Sequence, residues 1–158
     1  MIYVSPVGSL KIECDAEAVV SLAPCRDTTG TPPACAAEQL AEAWLNAYFA
    51  GDRLPVLPPL RPAGSMYQKK VWKNLLTIAP GCIVSYGQLA ARLQSSARAV
   101  GQAVGANPIA ILIPCHRVVA AGGKIGGYAY GVEMKQALLN HEAIYGALAA
   151  RQATVDIQ

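Results

Sequence analysis

At 158 residues, with 53% apolar and 15% charged side chains, the chain is long enough for one or two small domains with a real core. No run approaches the ~18 continuous apolar residues of a membrane span, and Met1–Pro6 shows no basic segment leading into an apolar stretch. A soluble, cytoplasmic protein is therefore expected, and its net charge of +3 is unevenly spread: residues 1–64 hold four basic and seven acidic side chains, residues 65–158 nine and three. The basic half suits a polyanion.

In chain order, Tyr3–Ile12 alternates around a Pro-x-Gly turn and predicts a β-hairpin, and Ala18–Leu22 predicts a third strand. Asp27–Pro33 is a loop by composition. Residues 34–50 predict a helix whose apolar face carries Leu40/Ala41, Trp44/Leu45 and Tyr48/Phe49, with Gly51 as its stop. Leu54–Pro62 holds four prolines in nine residues, so it is stiff and extended. The charge balance changes sign just after it, which divides the chain into 1–53, a linker 54–64, and 65–158.

Ser65 predicts the cap of a helix reaching about Ile78, with Val71/Trp72 and Leu75/Leu76 buried and Lys69, Lys70 and Lys73 on the wet side. Two short helices, about Ser85–Leu93 and Ala97–Gly105, flank the turn Gln94-Ser95-Ser96 in a helix-turn-helix pattern. Ala97, Ala99, Gly101, Ala103 and Gly105 give the second helix a small-residue surface, with Arg98 as its one long probe. Such a helix packs closely on another helix or lies against a DNA groove; the basic half favours the groove.

The chemistry concentrates at Ile111-Leu112-Ile113-Pro114-Cys115-His116-Arg117-Val118-Val119. Apolar, β-branched runs predict a short buried strand on each side, and the proline turns Cys115 out of the ladder toward a pocket. His116 adjoins the thiol as a base, and Arg117 adds charge that favours a thiolate. The base needs an orienting acid. Glu142, at the edge of a helical face carrying Met134, Ala137, Leu138 and Tyr145, is the candidate; Glu133 reads as a solvated first-turn charge, Asp156 as a fraying tail, and His141 as a structural or surface histidine. Between them, five glycines in the twelve residues 120–131 predict a flexible lid carrying Tyr128. The five cysteines lack C-x-x-C spacing, so no disulfide framework is expected. Cys14, Cys25 and Cys35 are candidate soft ligands, but no histidine lies in the first half, and no metal is assigned.

Pro114-Cys115-His116-Arg117 within its apolar flanks resembles the signature of the O6-alkylguanine-DNA alkyltransferases. The resemblance continues through Val71-Trp72, Ser85–Ala90, Arg98–Gly101, Asn107-Pro108, Gly126-Gly127-Tyr128 and Leu138–Glu142, from about Ser65 to Glu142. It implies a small N-terminal α/β, ribonuclease H-like domain and a helical C-terminal domain with a helix-turn-helix and a short active-site strand. It implies a monomer acting on double-stranded DNA that carries O6-alkylguanine, with the damaged base flipped out. Cys115 would take the alkyl group once and irreversibly, with no cofactor, His116 and Glu142 activating it and Tyr128 protonating the leaving base. Arg98 would fill the vacated stack, Tyr86 would crowd the adjacent phosphate, and Asn107 would tie the turn before Cys115. Ala97, Ala99 and Gly101 would lie against the groove, and the Val118 carbonyl and Ala129 N–H would read the guanine edge. Two departures stand out: the turn Gln94–Ser96 is short, and Tyr130 stands where the family's lid is smaller, which predicts a narrow pocket. Rival readings are a non-catalytic lesion sensor and a Cys115–His116 hydrolase.

Overall fold

The structure, a computed structural model, describes the backbone of residues 1–155 and the side chains of residues 1–146. Three antiparallel strands in the order β1 (Ile2–Ser5), β2 (Gly8–Cys14) and β3 (Val19–Pro24) open the chain. Ser5 pairs with Gly8 across a two-residue turn, and Gly8 takes φ +113°, a backbone angle that a Cβ disfavours. Along β2 the period of two buries Leu10 and Ile12 and turns Lys11 and Glu13 outward. Against this sheet packs α1 (Ala36–Ala50), burying Ala41, Trp44, Leu45 and Tyr48 and ending at Gly51 with φ 74°. Leu40, predicted on that face, points outward instead, at 46% exposure.

The proline-rich segment is extended as predicted, but it is also docked. Val19 donates to the Pro59 carbonyl and Arg61 to that of Val19, making a parallel bridge along β3, while the Arg61 guanidinium pairs with Asp15 and Glu17. Farther along the same edge, Leu22 bonds Pro108 and Ala110. One strand edge thus fixes both the linker and the loop that leads to Cys115.

The second half holds α2 (Met66–Leu75), β4 (Val84–Ser85), α3 (Tyr86–Leu93), α4 (Ala97–Gly105), β5 (Val118–Val119) and α5 (Val132–Val155). Ser65 with Gln68, and Ser85 with Gln88, form reciprocal capping boxes on α2 and α3, and Ser96 accepts from the Ala99 N–H at the start of α4. Helix α2 ends at Leu75, three residues before the predicted stop, and leaves Leu76 at 42% exposure. The helix-turn-helix is present, with its short turn made possible by a left-handed Gln94 (φ 51°). Trp72, buried in α2, donates its indole N–H to the Ala103 carbonyl of α4.

The predicted strand at Ile111–Ile113 does not form. Ile111 takes φ 68°, and Leu112, Ile113 and Cys115 donate to Ala110, Ile109 and Ile113, a succession of tight turns with no ladder partner. The three side chains are all buried nonetheless. Their apolarity reports burial, which a packed turn provides as well as a strand does. The one strand beside the thiol is β5, paired in parallel with β4. On α5, Met134 and Leu138 are buried as predicted, whereas Ala137 and Tyr145 face outward. Gly146 lets α5 pass the Pro80-Gly81 turn, where a Cβ would come 2.6 Å from the Gly81 nitrogen. Asp156 lies outside the described residues. A single buried cluster runs from Leu10 through Trp72 to Leu138, and no helix among the described residues is long and apolar enough to cross a membrane.

Candidate active site

Cys115 opens a short 3-10 turn, Cys115–Arg117, between the Ile111–Ile113 turns and β5. Asn107 builds that approach. Its amide donates to the carbonyls of Ile109 and Ile113, and its side-chain oxygen accepts from the Ile109 N–H. The thiol is 3% exposed and lies 3.9 Å from the Tyr128 hydroxyl. Burial pushes the Cys115 thiol pKa up, with Asn107, Tyr128 and Lys135 pulling the other way, so at rest it is a thiol.

Glu142 reaches His116 from α5, one carboxylate oxygen 3.0 Å from Nε2. Arg117 is not turned toward Cys115, as the sequence suggested. Its guanidinium grips the same Glu142 through Nε and Nη2 and donates Nη1 to the Ile78 carbonyl. Burial pushes the Glu142 carboxyl up, yet His116 and Arg117 outweigh it and hold it at about 2. Burial depresses His116 below the usual histidine range against the opposing pull of Glu142. A neutral His116 facing an ionised carboxylate carries its proton on Nε2. Nδ1 then keeps a lone pair, and among the described residues it has no hydrogen-bond partner. Glu142 fixes the ring's orientation, and Nδ1 has the chemistry to accept a proton.

Tyr86, the first residue of α3, lies between α4 and the lid; a Cβ on Gly101 or Gly126 would sit 3.8 or 3.7 Å from its ring. Arg98 is exposed near the start of α4, beside exposed Ala97 and half-buried Ala99 and Gly101, while Val100, Ala103 and Val104 face the core. Lys69, Lys70, Lys73 and Arg92 line a groove between α2 and α3 whose walls include no carboxylate. Ala129 is exposed in the lid. The Val118 carbonyl, expected to face the substrate, accepts from Lys135 Nζ at 2.6 Å.

Lys135 escaped the sequence reading. It is fully buried on α5, donates also to the Gly127 carbonyl at 3.1 Å, and lies 6.0 Å from the ring centres of both Tyr86 and Tyr128. It ties β5 to the lid. A signal existed: Lys135, Leu138 and Glu142 share one helical stripe, and a lysine on a buried stripe needs polar partners. Tyr130 closes the other side, its hydroxyl donating to the Asn107 carbonyl and its ring meeting Tyr128 edge-on at 5.4 Å. Of the two readings open for His141, the structural one holds: it bonds the Tyr48 carbonyl and packs on Phe49. All five cysteines are free; Cys14 and Cys35 converge with Glu38 far along the chain from Cys115, and Cys25 does not join them.

Residues 66–144 match the family model described as 6-O-methylguanine DNA methyltransferase, DNA binding domain. A methylated-DNA–protein-cysteine methyltransferase of Mycobacterium tuberculosis is 50% identical over 100 residues, covering 62% of this chain and 61% of that protein. One from Salmonella typhimurium is 46% identical over 118 residues, covering 72% of this chain and 66% of its own length. The chain thus spans about three fifths of the length of the first of these relatives. Among solved structures, M. tuberculosis OGT in complex with DNA superposes with a TM-score of 0.82 at 39% identity, covering 92% of each chain. An O6-methylguanine DNA methyltransferase of Methanococcus jannaschii gives 0.65 at 29%, covering 91% of this chain and 93% of that one.

Proposed function

Since this chain belongs to the O6-methylguanine DNA methyltransferase family, we propose that it repairs DNA by direct reversal, taking the alkyl group of O6-alkylguanine onto Cys115. The observation that carries this reading is the pair next in the chain to the buried thiol: Glu142 bonded to His116 Nε2, with Nδ1 left without a partner among the described residues. His116 takes the Cys115 proton in the reaction, directly or through one water. Sulfur then attacks the alkyl carbon, the S–C bond forming as the C–O bond breaks. Tyr128, within reach of the sulfur, supplies a proton to the departing base and is reprotonated through the same network. The thioether product is stable to water, so each chain acts once, without a cofactor.

The substrate arrives as a flipped base in double-stranded DNA. Arg98 fills the gap in the stack, with Ala97, Ala99 and Gly101 against the groove and Tyr86 crowding the neighbouring phosphate. Asn107 holds the turn, and the Ala129 N–H and second lone pair of the Val118 carbonyl read the guanine edge. Lys69, Lys70, Lys73 and Arg92 supply a phosphate-facing surface. O4-alkylthymine fits the same chemistry. We read residues 1–53 as an α/β, ribonuclease H-like unit, 54–64 as its linker, and 65–158 as the transfer and DNA-binding unit of a monomeric, cytoplasmic protein.

A duplex whose restriction site is blocked by O6-methylguanine tests the reading. Cleavable product should plateau at one equivalent per chain; multiple turnovers, or binding with no product, would refute single-use transfer.

A further inference from the structure

A second cluster of ligand-type side chains lies outside the transfer site. Cys14 ends β2, Cys35 is the N-cap of α1, and Glu38 lies in the first turn of that helix. Their ligating atoms all lie within 4.8 Å of one another. A tetrahedral zinc site with bonds of about 2.1–2.3 Å holds its ligands roughly 3.5–3.8 Å apart, so contraction by no more than about 1.3 Å closes the set.

Each member is oddly suited to its local position unless the cluster has a purpose. An N-cap normally carries Ser, Thr, Asp or Asn to bond the open N–H groups. Cys35 makes no such bond, and its sulfur faces Cys14 and Glu38. Glu38 is an acid only 7% exposed, its oxygens accepting from the Ala34 N–H at 2.6 Å and the Met1 amino group at 3.1 Å. Each carboxylate oxygen has a further lone pair. The positive end of α1 and the Met1 amino group offset the charge of two thiolates and a carboxylate.

We propose that Cys14, Cys35 and Glu38 form a three-ligand site for a thiophilic divalent cation of the zinc type, with an exchangeable fourth position. Two sulfurs and one oxygen select a borderline-soft ion over magnesium or calcium. Both sulfurs are only half-buried, so solvent reaches the site. The ion would fasten the end of β2 to the start of α1, elements separated in sequence by β3 and the loop that begins at Cys25. Its effect is on the stability of the sheet–helix unit, independent of alkyl transfer.

Cobalt(II) is the probe, added to reduced, chelator-treated full-length protein carrying Cys115→Ala, which removes the transfer thiol. The proposal expects thiolate-to-cobalt charge-transfer absorption and strong visible bands of a tetrahedral site. They should saturate at one equivalent and disappear on adding zinc, which should raise Tm by several degrees. Cys25→Ser and Cys82→Ser should retain the bands; Cys14→Ser and Cys35→Ser should lose them while circular dichroism shows a folded chain. Absence of bands, bands that survive loss of Cys14 and Cys35 together, or a reduced protein that cycles only to a Cys14–Cys35 disulfide and binds no cobalt, would each overturn it.

Discussion

Glu142 serves two partners at once. It orients the His116 ring, and it neutralises Arg117, which in turn holds the Ile78 carbonyl at the end of the α2 region. Glu142→Gln leaves a buried guanidinium without its counter-charge, and we expect a loss of about 3–5 kcal/mol in chemical denaturation together with a transfer rate at least ~10-fold lower. The pH dependence follows from the same pair. The Glu142 carboxyl sits at about 2 in the fold against 4.5 as a free group, so its contribution is present above 4.5 and lost as pH falls toward 2. His116 is lowered from 6.5; the unfolded chain therefore binds that proton first, and stability also declines as pH falls below 6.5. Tm should drop steadily through this acid range, and Glu142→Gln should flatten the part below 4.5. The transfer rate should have its acid midpoint below 6.5, because a neutral His116 is required; a midpoint at or above 6.5 would contradict the assigned base. Lys135→Met should slow transfer while leaving affinity for undamaged duplex unchanged, since Lys135 joins the Val118 and Gly127 carbonyls and touches no exposed surface. Tyr130→Gly should raise the benzyl-to-methyl rate ratio by removing a ring that spans from the lid to Asn107; an unchanged ratio would mean that Tyr130 does not limit pocket width.

At the scale of elements, the helices were legible because their ends are written in side chains. Ser65/Gln68, Ser85/Gln88 and Ser96 are capping patterns that need only local contacts. The run Ile111–Ile113 has the composition of a strand but folds as turns, for the opposite reason: its shape is set by Asn107 and by pairing of Pro108 and Ala110 with Leu22, some ninety residues earlier in the chain. Cys115, His116 and Glu142 were legible as a set through the family's spacings, whereas Lys135 was hidden because its partners are backbone carbonyls, which no side-chain pattern announces. Arg117 reads from its position as a charge beside the thiol, but its partner, Glu142, comes from α5. The short turn before α4 is workable because Gln94 adopts the left-handed region; Gln94→Gly should be tolerated or slightly stabilising, by up to about 1 kcal/mol, and Gln94→Val destabilising, as read from urea midpoints.

Across the whole molecule, the sheet earns its place by holding the site without contributing to it. The outer edge of β3 binds the linker at Val19 and the approach to Cys115 at Leu22, and α1 meets α5 where His141 bonds the Tyr48 carbonyl. Buried apolar residues form one cluster across both halves. The acidic first half and basic second half therefore pack on one core, and the second half presents an exposed Arg98 and a groove lined by Lys69, Lys70, Lys73 and Arg92. For the proposed function, this scaffold must present one thiol to one electrophile. Its most direct test is the intact mass and peptide map of the protein after incubation with duplex DNA containing O6-methylguanine. We predict a gain of a single methyl group, confined to Cys115 and absent from Cys115→Ala. A protein that binds the lesion and returns unmodified, or that carries the methyl on another cysteine, would contradict it.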